Sequence, residues 1–358
     1  MSTMTNAQSN QQLQRKSETK TNRRKVWTVI GALALAVVIV AAVAVYFYGP
    51  AVTAMTTGTA RFVGTDSPKR YTSTVLQLAE QGIYSDSEEF SAASEHAKDV
   101  AKKADSVDEV REDLNNAVRA AGGKHSRLIS PDEKQQRVDD ENAEDGASEP
   151  TVNVESAVAI ATVPGIHRDD DVQSYADELS NGLTQARDNG ACGAIVDLQT
   201  NDGGDMGPML AGLSPIIPDG TAIEFVASGN AMPVKVEGNS VSGGGTPLST
   251  TGGKWDAPTA VLVSDATASS GEATMLSFRG LDNSRSFGTP TAGFASANNV
   301  YEFPDGSELM LTTARNRDRT GQTYAEDPIE PDTKTDSSDA ALAAAKTCLL
   351  YTSPSPRD

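Results

Sequence analysis

Val26 to Tyr48 is a run of 23 residues without a single charge, and it constrains the chain more than any other segment. As a helix it measures about 34 Å at 1.5 Å per residue, enough to cross a hydrocarbon layer of about 30 Å. A water-soluble core helix is usually polar on one face, and this run is apolar all round. Six cations (Arg15, Lys16, Lys20, Arg23, Arg24, Lys25) precede it against one acid, Glu18. The positive-inside rule therefore holds residues 1-25 in the cytoplasm and sends the remainder outward. A cleaved leader is the competing expectation, but its apolar region normally spans only about 7 to 15 residues. The expectation is an uncleaved single-pass anchor over 26-48.

Removing the +5 of that tail from the chain's -19 leaves -24 on the outer part. Such a surface disfavours nucleic acid and anionic lipid as partners and would attract a cationic peptide. Of the two cysteines, Cys348 opens Cys348–Asp358, eleven residues that read like a translated sequencing adapter and are set aside. Cys192, in apolar surroundings, then reads as a core residue.

Residues 49-130 carry helical periodicity and read as a stalk or cap. Phe90, Ala93, Ala97, Val100, Ala101 and Ala104 share one face, and Val107, Val110, Leu114, Ala117, Val118 and Ala121 a second. Ser106 with Glu109 fits a capping box, and Gly122-Gly123 a helix stop. Residues 131-150 hold eight acids and two bases with few apolar side chains, so they read as an acidic linker. From 151 to 347 apolar strands and helices alternate, which argues an α/β unit with a largely parallel sheet. Val300 to Phe303 and Leu309 to Thr313 should pair around Pro304-Asp305-Gly306-Ser307, and Asp336 should cap a last helix through Ala344.

Within that unit, Ala260-Val261-Leu262-Val263 runs into Thr267-Ala268-Ser269-Ser270-Gly271-Glu272. A serine on a strand-to-helix turn meets unpaired N–H groups and the positive end of a helix dipole, which suits a nucleophile. A capping box, Ser269 with Glu272, explains the same residues structurally. The base must come from His96, His125 or His167, and His125 in Gly122-Gly123-Lys124-His125-Ser126 is the candidate; its alternative is a cation at a helix C-terminus. Oxyanion donors could come from Asp197-Leu198-Gln199-Thr200-Asn201-Asp202-Gly203-Gly204, where glycine lets backbone approach a substrate. The chain has no CxxC pair, HExxH, Walker loop or GxSxG elbow, so no metal and no cofactor is implied.

In this order these segments resemble the serine peptidase family of C-terminal processing (tail-specific) proteases and tricorn cores. The later stretches Phe287 to Gly293, Leu311 to Arg315 and Ile329-Glu330-Pro331-Asp332 extend the resemblance over roughly 152–332. It implies a ClpP/crotonase-like spiral α/β core, Ser269 as nucleophile, and Ser270 N–H with Gly203 or Gly204 as the oxyanion hole. The tail-specific branch places a catalytic lysine where this chain has Phe294, which leaves a histidine base and hence His125. Glu326, near the family's C-terminal landmark, is the implied third member. The segments Gly-Gly-Lys-His-Ser and Pro-Thr-Ala-Gly-Phe-Ala-Ser-Ala-Asn resemble the nisin resistance branch, which implies a membrane-anchored extracellular peptidase acting on a cationic antimicrobial peptide. Too few residues lie between His125 and the core for a PDZ module, so a groove between cap and core would read the substrate. General processing of envelope proteins, and an inactive peptide-binding immunity or sensor protein, are the other functional classes open to such a sequence.

Overall fold

The structure is a computed structural model that describes residues 4–64, 67–136, 149–168 and 170–352. Most of the acidic stretch, 137–148, lies outside the described residues.

The apolar run forms part of one long helix, Met4–Thr57, with Pro50 inside it. Its C-terminal end is not a free tether, because Ala51 and Ala54 are buried in the core of the cap. That cap holds three further helices, and the first, Pro68–Ala79, has no counterpart in the periodicity analysis. Its signals are local: Ser67 caps it, accepting from Arg70 N–H, and Pro68 occupies the first turn, where a missing N–H is harmless. Glu88–Ala101 and Arg111–Gly122 follow as expected, burying Phe90, Ala97, Leu114 and Val118 among others. Ser106 does not cap the second of these. A 3₁₀ turn, Asp108–Val110, leads into it, and the Glu109 carboxylate accepts instead from Asp105 N–H at 3.3 Å.

The α/β unit has two sheets. One contains six strands in the order Thr333–Lys334, Ser284–Gly288, Thr259–Val263, Gly193–Asp197, Val158–Thr162, Thr151–Glu155. All neighbours are parallel except the last pair. Gly193–Asp197 and Thr259–Val263 are almost wholly buried, as continuous apolar runs require in a parallel sheet covered on both faces. The second sheet is antiparallel and centres on Glu308–Arg317, which pairs with Arg127–Ile129, Ser296–Glu302, Gly220–Ala227 and Thr323–Tyr324. The expected hairpin is thus present. The expected largely parallel sheet is present too, and Gly220–Ala227 lies outside it, joining the antiparallel sheet through Glu308–Arg317 and its hairpin with Asn230–Glu237.

Val172–Asp188, Met206–Leu213 and Ser270–Leu276 pack between the sheets around Leu179, Leu183, Met209, Leu210 and Leu276. The final helix is Ser338–Thr352, capped by Ser337 Oγ, which accepts from Ala340 N–H at 3.2 Å, rather than by Asp336. It runs past the expected end at Ala344 and into the segment set aside above, where Leu349 is buried against the parallel sheet.

Candidate active site

Two buried strands of the parallel sheet, Gly193–Asp197 and Thr259–Val263, end beside one another and deliver two turns to one edge. The first turn holds Asn201 to Gly204 and the second Thr267 to Ser270. Asn201 ties them together: its carbonyl accepts from Ala268 N–H at 2.9 Å, and its Nδ2 donates to Val163 O at 2.8 Å. Thr267 adds a second tie, donating from Oγ1 to Leu198 O at 2.7 Å.

Ser269 sits at φ 51°, ψ -114°, a region that a residue with a side chain rarely occupies. Two other serines of this chain cap helices in the ordinary way. Ser67 (φ -146°, ψ 153°) and Ser87 (φ -77°, ψ 151°) are extended, as a cap requires. Ser269 belongs to the same capping-box sequence pattern, and the Glu272 carboxylate does accept from its N–H at 2.9 Å. A cap alone would not need the strained backbone. What the strain achieves is to turn the side chain toward Gly203: a Cβ on that glycine would stand 2.9 Å from Ser269 Cβ and 3.4 Å from its Oγ. Gly203 and Gly204 have φ of 118° and 102°, so neither position suits an L side chain.

The donors differ from one another. Gly203 N–H is committed to Asn201 Oδ1 at 3.0 Å, whereas Gly204 N–H and Ser270 N–H have no acceptor among the described residues. Ser270 opens the helix, where backbone donors lack intrahelical partners. Its hydroxyl donates to Gly204 O at 2.7 Å and so fixes the two donor-bearing segments against each other.

Glu272 is fully buried and gathers the rest of the site. Besides Ser269 it accepts from Gly293 N–H at 2.9 Å, Phe294 N–H at 2.6 Å and the Thr291 hydroxyl. Burial pushes its carboxyl above the usual range, and those donors oppose the shift. The segment Thr291 to Ser296 is thereby hung from the helix that begins at Ser269, and His125 lies against its far end. Nδ1 of His125 is 3.1 Å from Ser296 Oγ, and the ring meets Phe294 edge-on with centroids 5.0 Å apart. Phe294, at the position expected to exclude a lysine base, therefore forms a wall of the histidine site. No direct hydrogen bond joins His125 to the Ser269 hydroxyl among the described residues; the two are linked through Phe294 and Glu272.

Burial lowers the His125 pKa to about 4, with Arg127 and Lys124 adding repulsion to the charged form. Glu326 reaches this loop, but at the backbone: it accepts from Lys124 N–H, and a side chain at Gly123 (φ 83°) would overlap its carboxylate. Lys124 Nζ donates to Ala292 O at 3.2 Å and lies 4.4 Å above the Phe294 ring. Of the other histidines, His96 pairs with Asp113 at 3.2 Å in the cap and His167 N–H binds Asp170. Ser296 escaped sequence reasoning. Its only signal is proximity to Phe294, since its partner lies 171 positions away. The described residues hold no cluster of three or more His, Cys, Asp or Glu suited to a metal.

Residues 158–335 match the family model described as Peptidase family S41. The chain is 34% identical over 274 residues to the nisin-resistance protein of Lactococcus lactis subsp. lactis, an alignment covering 75% of this chain and 84% of that protein. It is 28% identical over 171 residues to the carboxy-terminal processing protease CtpA of Bacillus subtilis (strain 168), covering 47% of this chain and 34% of that one. Among solved structures, a lipoprotein from Streptococcus agalactiae superposes with a TM-score of 0.68 at 28% identity, covering 81% of this chain and 99% of that chain. The photosystem II D1 C-terminal processing protease shares the fold, with a TM-score of 0.53 at 12% identity over 79% of this chain and 98% of that chain.

Proposed function

Because the chain belongs to peptidase family S41 and is a serine peptidase, we propose that Ser269 is its nucleophile, His125 its general base, and that its substrate is a cationic antimicrobial peptide. The observation that carries the catalytic part is the strained turn at Ser269, facing Gly203 and flanked by two N–H groups that have no acceptor among the described residues.

The reaction follows from those atoms. Ser269 Oγ attacks the scissile carbonyl carbon while its proton passes to Nε2 of His125, the ring nitrogen left over when Nδ1 faces Ser296. The carbonyl oxygen, now anionic, takes the N–H groups of Gly204 and Ser270. His125 returns the proton to the leaving amine as the C–N bond breaks, and water releases the acyl group by the same steps reversed. Substrate binding must close the gap between imidazole and hydroxyl, and catalytic hydrogen bonds in empty enzymes are commonly long for this reason. Ser296 and Glu326 act as positioning residues, the one on the ring and the other on the backbone beside it.

The helix Met4–Thr57 would anchor the enzyme, with residues 1-25 cytoplasmic and the catalytic unit outside. Support for the substrate comes from the relative named for nisin resistance and from the acidic outer part. Incubating the full-length protein in detergent with nisin and weighing the products by mass spectrometry tests it. Truncated peptide is expected, and intact peptide beside normal labelling of Ser269 by a fluorophosphonate would transfer the enzyme to envelope-protein processing, a reading favoured by the match to CtpA. A wild-type chain that the probe leaves unlabelled while nisin still binds would make it a sequestering protein instead.

A further inference from the structure

Arg70 is buried at the foot of the cap, and its guanidinium bridges the long N-terminal helix to the folded domain. Nε donates to Tyr46 O at 3.0 Å and Nη1 to Val63 O at 2.8 Å, with the guanidinium 3.9 Å from the Tyr46 ring centroid. Gln77 adds a bond to Phe47 O at 3.4 Å. One planar group thus holds the backbone of Val63 level with that of Tyr46, and Tyr46 lies inside the apolar run. Tyr46, Phe47 and Tyr48 end that run as aromatic residues do at a bilayer boundary.

From this geometry we infer that the folded domain rests directly on the outer face of the bilayer, with the loop around Val63 set into it. The inference rests on the anchoring proposed above. Val63 is 64% exposed and Val52 51%, although valine is among the residues most often buried. Val52 lies four residues past Tyr48, about 6 Å along the helix, and the headgroup layer is about 5 to 7 Å deep on each side. Arg61 and Lys69, both exposed, flank the Val63 loop at the level where lipid phosphates would lie. Continuity settles the occupant: these side chains extend the surface that the anchor already presents to lipid, and no other partner need be supplied. The acidic remainder of the domain would be repelled from anionic headgroups, which favours contact through this apolar edge, where, in sequence, Arg61, Lys69 and Arg70 outnumber Asp66.

The test uses the full-length chain, with Cys192→Ser and Cys348→Ser, in nanodiscs of equal parts phosphatidylcholine and phosphatidylglycerol that contain doxyl-labelled lipid. A fluorescent label is placed at Val37→Cys in the span, at Val63→Cys, or at Met232→Cys, an exposed position on the antiparallel sheet. Labels at 37 and 63 should be quenched several-fold more strongly than the label at 232. Arg70→Lys, which keeps the charge but loses the two-carbonyl fork, should weaken quenching at 63 and leave 37 unchanged. Quenching at 37 with none at 63 overturns the docked pose and leaves the anchor intact. Absence of quenching at 37 overturns both.

Discussion

Ser269 carries a backbone conformation that disfavours any side chain, and holding a residue in such a region costs of order 1 to 3 kcal/mol. Ser269→Gly should therefore be more stable than Ser269→Ala by about 1 kcal/mol in urea denaturation, while neither variant reacts with a fluorophosphonate. Equal stabilities would mean that the turn is not under strain. His125→Ala should lower kcat/KM by about 10² to 10⁴. With its pKa lowered to about 4, His125 stays neutral as pH falls through 6.5, so the acid limb of kcat/KM should appear near pH 4. An acid limb near 6.5 would show a solvated imidazole. The same shift acts on folding: the unfolded chain takes up the proton near 6.5 and the folded one only near 4, so stability declines as pH drops between those values. His125→Phe should flatten that slope. The segments around Ser269, His125 and the glycine turn stood out in the sequence as short, ordered motifs, and the catalytic roles proposed for them are what the variants above test. Ser296 and the division of labour between Gly203 and Gly204 did not stand out, since hydrogen bonds between distant segments decide both.

At the level of elements, Glu272 converts a common helix-start pattern into a junction. Its carboxylate holds Thr291, Gly293 and Phe294 as well as the turn at Ser269. Glu272→Ala strands three backbone N–H groups, each worth about 1 to 3 kcal/mol when buried without a partner. A loss of at least about 3 kcal/mol in the urea midpoint analysis is expected, and a loss under 1 would mean that water or a neighbour replaces the carboxylate. The parallel strands were legible as unbroken apolar runs. The place of Gly220–Ala227 was not legible, because an apolar run carries no mark of which sheet it joins; its hairpin partner Asn230–Glu237 decides that. The helix Pro68–Ala79 hid for another reason. It is buried on much of its circumference, Arg70, Thr72 and Thr74 included, so its polar residues blur the period.

Across the whole molecule, charge and attachment set the terms on which substrate arrives. The -24 carried beyond residue 25 should draw a cationic peptide inward, so kcat/KM for such a peptide should fall as salt rises from 10 to 150 mM, where the screening length shrinks from about 30 to about 8 Å. A neutral peptide cut by the same enzyme should show no such dependence, and equal salt sensitivity of the two would remove steering from the account. The cap packs directly on the antiparallel sheet through Tyr301, Phe303, Leu309 and Leu311, and the loop Gly123 to His125, which carries the proposed base, follows the last cap helix out of that cluster. The turn bearing Gly203 and Gly204, in contrast, is fixed by the side-chain amide of Asn201, which accepts from Gly203 N–H and donates to Val163 O. Slow deamidation there would place an anionic oxygen opposite Val163 O where a donor had been, so stored enzyme should lose turnover well before it loses its shape.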